Sequence, residues 1–330
     1  MPDHLVHDSI DSLLAGATNR RSLDGPGKSG ALLERVTIDG QPYVVKHLDH
    51  DADWTLRVAN VPGSATVQLW RQGVLAELPD CFNQPIVAVA QDVRRPTVSA
   101  LLMHDVGKWL VPATDDLVPV GQHERFLDHM AALHANFWER RIAVVSSTDR
   151  YLELSPRMAA AEAAIGSDHL VPRLVAQGWP LLEEVAPALA RVVVPLVNEP
   201  SPLVDALDTT PQTFVHGNWK LDNLGTDDDG RTVLLDWELP GTGAAASDLA
   251  WYLAINCRRL PTTKEQTIVA YRAALERHGV ATEPWWDRQL GLCLIGAMVQ
   301  FGWEKALGGY DDELAWWEEQ VVAAEPLLDR

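Results

Sequence analysis

The second half of this chain reads as helical except at one place, and that place constrains the fold most. Residues 224–226 and 232–236 read as short strands flanking Asp227-Asp228-Asp229-Gly230, an acidic run ending in glycine that marks a tight hairpin. Antiparallel pairing across the turn would carry Asn223, just before the first strand, toward Asp236, at the end of the second. An amide oxygen and a carboxylate held side by side are hard oxygen donors, suited to Mg²⁺ bridging the phosphates of a nucleotide. Upstream lies Phe214-Val215-His216-Gly217-Asn218, an apolar approach that breaks into a loop at a glycine.

The N-terminal region has a different texture. Ala31 to Ile38 reads as a strand, Asp39-Gly40 as a hairpin turn and Pro42 to Leu48 as the returning strand, with proline at a strand start, where it is allowed. Segment 64–78 has helical spacing, with Val67, Trp70, Val74, Leu75 and Leu78 on one face and Pro79 ending it. Gln84 to Ala90 and Thr97 to Met103 read as two more strands. Beyond them the pattern turns helical, over residues 122–140 and near 263–278, 285–307 and 311–328. Tryptophans at helical spacing in these last helices, including Trp285-Trp286 and Trp316-Trp317, are expected in the core.

The loop and the hairpin together carry a resemblance. Protein kinases use H-R-D-x-x-x-x-N followed by D-F-G, and small-molecule kinases of the aminoglycoside-phosphotransferase type use H-G-D-x-x-x-x-N. Here His216-Gly217-Asn218 reaches Asn223 after four residues, and Asp236-Trp237-Glu238 ends the returning strand. On these residues the chain resembles the aminoglycoside phosphotransferase family. Ser247-Asp248-Leu249-Ala250-Trp251-Tyr252-Leu253 is similar to that family's next helix, whose aspartate supports the catalytic loop, and Ala131-Ala132-Leu133-His134 is similar to the helix before it. Val44-Val45-Lys46 is similar to the strand whose lysine pairs with nucleotide phosphates, and Gly25-Pro26-Gly27-Lys28-Ser29-Gly30 to a glycine-rich phosphate loop. The likeness spans about residues 20 to 325 and is densest over 214–253.

The resemblance implies an α+β chain with the protein-kinase-like two-lobed fold. Residues 1–103 would form a β-rich nucleotide-binding lobe, and residues 104–330 a helical lobe with the catalytic and metal-binding hairpin and the acceptor site. It implies ATP or GTP as phosphoryl donor and Mg²⁺ as its partner ion. Lys46, Gly25, Gly27 and Gly30 would meet the phosphates, and Met103 and Asp105 the adenine from the hinge. Asn223 and Asp236 would hold the metal, His216 would support the loop, and the acceptor would be a small hydroxylated molecule such as a sugar, aminoglycoside or amino alcohol.

Two positions depart from the family pattern. Asparagine stands at position 218 where the family has its catalytic aspartate. An amide is a poor base, although its oxygen can orient a hydroxyl, and losing general-base help costs about 10²–10⁴-fold. Asp222 is a candidate substitute. The alternative is a pseudokinase-like nucleotide-binding or scaffolding protein without efficient catalysis. The second departure concerns the glutamate that kinases place mid-helix opposite the lysine. The 64–78 helix offers Glu77 near its end and Arg71 in its middle.

Composition narrows the partners. Forty-six acidic residues against 27 basic give a net charge of −19, which disfavours nucleic acid, since phosphate neutralisation needs clustered Lys and Arg. Cys81, Cys257 and Cys293 form no paired motif, so neither a zinc knuckle nor a disulfide framework is expected. The N-terminus lacks an apolar signal core, and the longest uncharged apolar stretch, Gln289 to Trp303, is shorter than the ~20 residues of a membrane span. A cytoplasmic chain with no membrane partner is the expectation. Gly27-Lys28-Ser29 fails as a Walker A loop because Ser22 stands where the first glycine is required. Asp311, Asp312 and Glu313 fit either an acidic pocket or a solvated charge run.

Overall fold

A computed structural model describes residues 5–23, 30–61 and 63–329. By internal contacts the chain divides into two compact units, Met1–Pro112 with Asp222–Leu239 and Ala113–Leu221 with Pro240–Arg330. In chain order the first unit begins with β1 (Val6–His7), α1 (Ile10–Leu13), β2 (Thr18–Ser22), β3 (Leu32–Ile38), β4 (Gln41–Asp49), α2 (Trp54–Ala59), α3 (Ala65–Arg71), β5 (Phe82–Asn83), β6 (Ile86–Gln91) and β7 (Val98–His104). The second unit takes α4 (Val120–Asn136), α5 (Ser147–Leu152), α6 (Pro156–Ala164), α7 (Leu170–Val185), α8 (Pro187–Asn198), α9 (Ser201–Asp208) and β8 (Thr213–Val215). The chain returns to the first unit for β9 (Leu224–Thr226) and β10 (Thr232–Leu234). It ends in the second with β11 (Gly241–Gly243), α10 (Ala246–Ile255), α11 (Lys264–Arg277), α12 (Trp286–Leu307) and α13 (Asp312–Ala324). The class is α+β, with the protein-kinase-like arrangement of a β-rich region followed by a helical one.

The first unit is built on a six-stranded sheet in the order β1-β6-β7-β4-β3-β2. The expected hairpin is present: Asp39 and Gly40 both have positive φ (52° and 77°), as a two-residue turn matched to strand twist requires. Lys46 lies mid-sheet, in register with Leu33 on β3 and Leu101 on β7. One face of the sheet is closed by Val36, Val45, Ala90, Ala100 and Leu102 with Leu13 and Leu14 of α1. The expected 64–78 helix is shorter than its apolar spacing suggests. It ends at Arg71, Gly73 turns the chain at φ 74°, and a 3₁₀ turn covers Val74–Glu77. A glycine in left-handed conformation ends a helix at no steric cost, and here it overrides the periodicity.

The 222–239 segment belongs to the first unit by its contacts, whereas the family resemblance groups it with the second lobe. Its anchors explain this. β10 pairs parallel to β5, and Leu110 bridges Gly225. Asp227 then fixes the turn by accepting from the N–H groups of Asp229 (3.0 Å) and Arg231 (2.8 Å), from Arg231 Nε (2.9 Å) and from Asn83 Nδ2 (2.9 Å). Burial opposes ionisation, but these donors win and hold its carboxyl below the usual aspartate value.

In the second unit, α12 is the central element, packed against α7, α8, α10 and α13. It is the one helix among the described residues long and apolar enough to cross a membrane by composition, yet 78% of its apolar window is buried in the protein, as for a core helix. Of the tryptophans expected in the core, Trp286 and Trp317 are buried, whereas their neighbours Trp285 and Trp316 are only half-buried. In the acidic run that opens α13, Asp311 and Glu313 have structural partners. Asp311 caps the helix by accepting from Leu314 N–H (2.9 Å), and Glu313 takes Lys264 Nζ at 2.5 Å and Trp317 Nε1 at 2.7 Å.

Two outcomes follow from this packing. A Cβ built on Gly178 of α7 would sit 2.2 Å from the carbonyl oxygen of Trp303 on α12. Backbone cannot yield as a side-chain tip can, so Gly178→Ala should cost about 1–3 kcal/mol, read as a lower urea midpoint at unchanged slope. His123 of α4 is buried, with Nδ1 2.9 Å from Tyr252 Oη and Nε2 3.1 Å from Thr262 Oγ1. Burial pushes its pKa from 6.5 down to about 4. Within that window the unfolded chain binds the extra proton, so this stability is present above pH 6.5 and is lost as pH falls toward 4. His123→Asn should flatten the stability curve there by on the order of 2 kcal/mol against wild type. An unchanged curve would assign the acid loss to other groups.

Candidate active site

The candidate residues divide between the two units. In the first, β4 presents Lys46 and the exit of β10 presents Asp236 and Glu238. Lys46 Nζ lies 2.5 Å from Asp236 Oδ1 and 3.1 Å from Glu238 Oε1. Burial alone would depress the ammonium, but Asp236, Glu238 and Asp53 outweigh it and hold Lys46 far above the usual lysine value. Glu238 responds the other way. Burial, foremost, pushes its carboxyl up; Lys46 opposes the shift, and Asp236 and Asp53 add to it. Asp236 has φ 68°, a left-handed conformation that only a few non-glycine residues adopt and that recurs at functional sites.

Asn223 enters the first unit just before β9. It is buried, and its carbonyl accepts from Leu235 N–H at 2.9 Å, so the hairpin register continues one pair past β9 and β10. Asp222, beside it, is exposed. Asp53 caps α2 through Thr55 N–H (2.9 Å) and Thr55 Oγ1 (2.6 Å) while buried. Glu77 is not among the partners of Lys46; Glu238 supplies the glutamate instead. α3 reaches the same segment differently, with Thr66 Oγ1 donating to the carbonyl of Trp237 at 2.9 Å.

Other nucleotide-site expectations fall at the strand ends. Met103 sits within the ladder, in register with Val44 and Ile86. Asp105, just past β7, spends its carboxylate on Arg35 (2.8 Å) and on Gly107 N–H (3.2 Å). Gly30 has φ 108°. Gly25 and Gly27 lie outside the described residues.

The second unit holds the loop. Gly217 has φ 75°, which frees it to turn His216 and Asn218 at the end of β8. Asp248 of α10, fully buried, accepts from the N–H of His216 and of Gly217, each at 2.8 Å. Its carboxylate also meets His134 Nε2 at 3.1 Å, and His134 Nδ1 lies 2.5 Å from Tyr271 Oη. Burial opposes ionisation of Asp248, and the contacts with His134 and His216 keep its pKa below the ordinary aspartate value. His216 is buried, and its Nδ1 accepts from Asn218 N–H at 3.2 Å. The His216 ring thus bonds within the loop itself.

Three members of these clusters escaped the sequence reading as site residues. Glu238 had a usable signal, since it lies two residues past Asp236 on the same extended run. Asp53 looked like an ordinary helix cap. His134 stood in a segment already matched to the family's helix, but nothing in its spacing marked it as the partner of Asp248.

The fold is protein-kinase-like. Residues 121–285, half of the chain, match the model of the phosphotransferase enzyme family (APH), and the chain belongs to that family. No curated protein matches it in sequence. Among solved structures it is similar to choline kinase LicA from Streptococcus pneumoniae, at 11% identity and TM-score 0.50, covering 96% of each chain. It is equally similar to a thermostable mutant of aminoglycoside phosphotransferase APH(4)-Ia in ternary complex with AMP-PNP and hygromycin B, at 12% identity and TM-score 0.50, again over 96% of each chain.

Asp248→Ala should strand two buried backbone donors. We expect a loss of about 2–4 kcal/mol in urea denaturation. An equal midpoint would show that the loop's amides find other acceptors.

Proposed function

We propose that this protein is an ATP- or GTP-dependent phosphotransferase that phosphorylates a hydroxyl of a small molecule such as a sugar, aminoglycoside or amino alcohol. The observation that carries this reading is a charge imbalance in the first unit. Asp53, Asp236 and Glu238 all act on one ammonium, that of Lys46. With Lys46 shared between Asp236 and Glu238, Asp236 keeps negative charge to offer a divalent ion, and Asn223 adds a neutral amide oxygen. These donors are all hard oxygens, so they fit Mg²⁺ better than a thiophilic metal. Bound there, Mg²⁺ would offset phosphate charge.

The chain's own residues then have distinct tasks. Asn223 and Asp236 hold the ion, and Lys46 contacts the phosphates. Asn218 orients the acceptor hydroxyl through its amide oxygen without removing its proton, which a loose phosphoryl-transfer transition state tolerates. His216 and Asp248 fix the backbone on which Asn218 stands. The asparagine favours a second reading, a nucleotide-binding pseudokinase, and one experiment separates the two.

Calorimetry with Mg-ATP and Mg-GTP should show binding by the wild type and none by Asp236→Ala. Phosphate release with a panel of sugars, aminoglycosides and amino alcohols should then be stimulated by at least one acceptor. Asn218→Asp should raise turnover by up to about 10²-fold if general-base help is what the wild type lacks. Turnover seen only in Asn218→Asp would establish the pseudokinase reading. Absence of nucleotide binding at millimolar concentration would refute both.

A further inference from the structure

We propose that Glu238 is the fixed anchor of Lys46, a positioning residue that keeps the ammonium in place while Asp236 exchanges it for a metal ion. The inference rests on the reading of Lys46 and Asp236 as phosphate and metal groups. It departs from the usual kinase plan, in which a glutamate carried by a helix holds the lysine. Here α3 spans Ala65–Arg71 and contains no acid, and its contact with the segment is the Thr66 hydroxyl on the Trp237 carbonyl.

The two carboxylates on Lys46 are not equivalent. The Asp236 side chain is 26% exposed and the Glu238 side chain 5%. Asp236 can therefore trade the lysine for another cation from solvent at modest cost. Glu238 cannot, because Lys46 is the hydrogen-bond partner of its Oε1, and its Oε2 is buried with no partner among the described residues. Taking Lys46 away would leave that carboxylate buried and unpaired, the costliest arrangement for a charge. When a metal–nucleotide complex claims Asp236, Lys46 keeps its bond to Glu238 and turns its remaining donors toward the phosphates. The ammonium has three donors, enough for both tasks.

Placement adds a consequence. Glu238 lies two residues from Asp236 on one backbone run, tied to α3 through Thr66. Anchor and metal ligand therefore move together, and no swing of a helix can separate the lysine from its glutamate.

The test is calorimetry of AMP-PNP, with and without Mg²⁺, on the full chain as wild type, Glu238→Gln, Lys46→Met and the double variant. Glu238→Gln should weaken Mg-AMP-PNP by about tenfold or more, and metal-free AMP-PNP by clearly less, because only the metal requires Asp236 to release the lysine. In the Lys46→Met background, Glu238→Gln should add no further loss, as expected if the glutamate acts through the lysine. Glu238→Asp, which keeps the charge but withdraws it by one methylene, should fall between, and it carries the test if the glutamine variant does not fold. Wild-type affinity in Glu238→Gln, or a full additive loss in the double variant, would overturn the anchor role while leaving the nucleotide site standing. A wild type that fails to bind Mg-AMP-PNP would remove the site and the anchor together.

Discussion

Much of the first unit is organised around one ammonium that must be kept charged inside protein. Lys46 stands in the middle of a six-stranded sheet, where its stem is flanked by apolar neighbours and its head would be expelled without partners. Asp236 and Glu238 prevent that, and both come from residues far along the chain. The pairing therefore joins the sheet to the exit of the β9–β10 hairpin, and the hairpin's turn is in turn held by Asp227 and Asn83. A sequence that satisfied the sheet but not the lysine would bury an unpaired charge, at a cost that single packing defects rarely reach. The fold of this unit and its chemistry are thus specified by the same contacts.

The second unit solves a different problem with the same economy of means. The loop after β8 is irregular, and irregular backbone leaves amides without ladder partners. Asp248 takes two of them, from His216 and Gly217, and is itself held through His134 and Tyr271. Support runs from the aromatic and aliphatic core through a buried carboxylate to the loop backbone. The loop's shape follows from residues around it more than from the residues within it.

This division explains what the sequence made legible. The β3–β4 hairpin could be read because Asp39-Gly40 permits little else, and the β9–β10 hairpin because Asp227 to Gly230 is both a turn former and a cluster of acceptors. The loop and Asp248 were legible as a family pattern with correct spacing. The extent of the 64–78 helix was not, because Gly73 stops it by backbone geometry that apolar periodicity does not register. β1 was not legible either, since two residues pairing parallel to β6 leave no period to read. The lysine's partner was hidden for a deeper reason. Local sequence proposed Glu77 by analogy with a helix, whereas the long-range register that puts Glu238 against Lys46 has no local signature.

The same reasoning bears on the asparagine at 218. Asp248 grips backbone amides, and Asn218 gives its own N–H to His216. This support acts on main-chain atoms of the loop. Asparagine and aspartate have nearly the same shape, and the loop can present either. What changes between them is charge and basicity, confined to the group that would face a hydroxyl. Under the proposed function, an exchange of aspartate for asparagine at this position alters charge and basicity far more than shape.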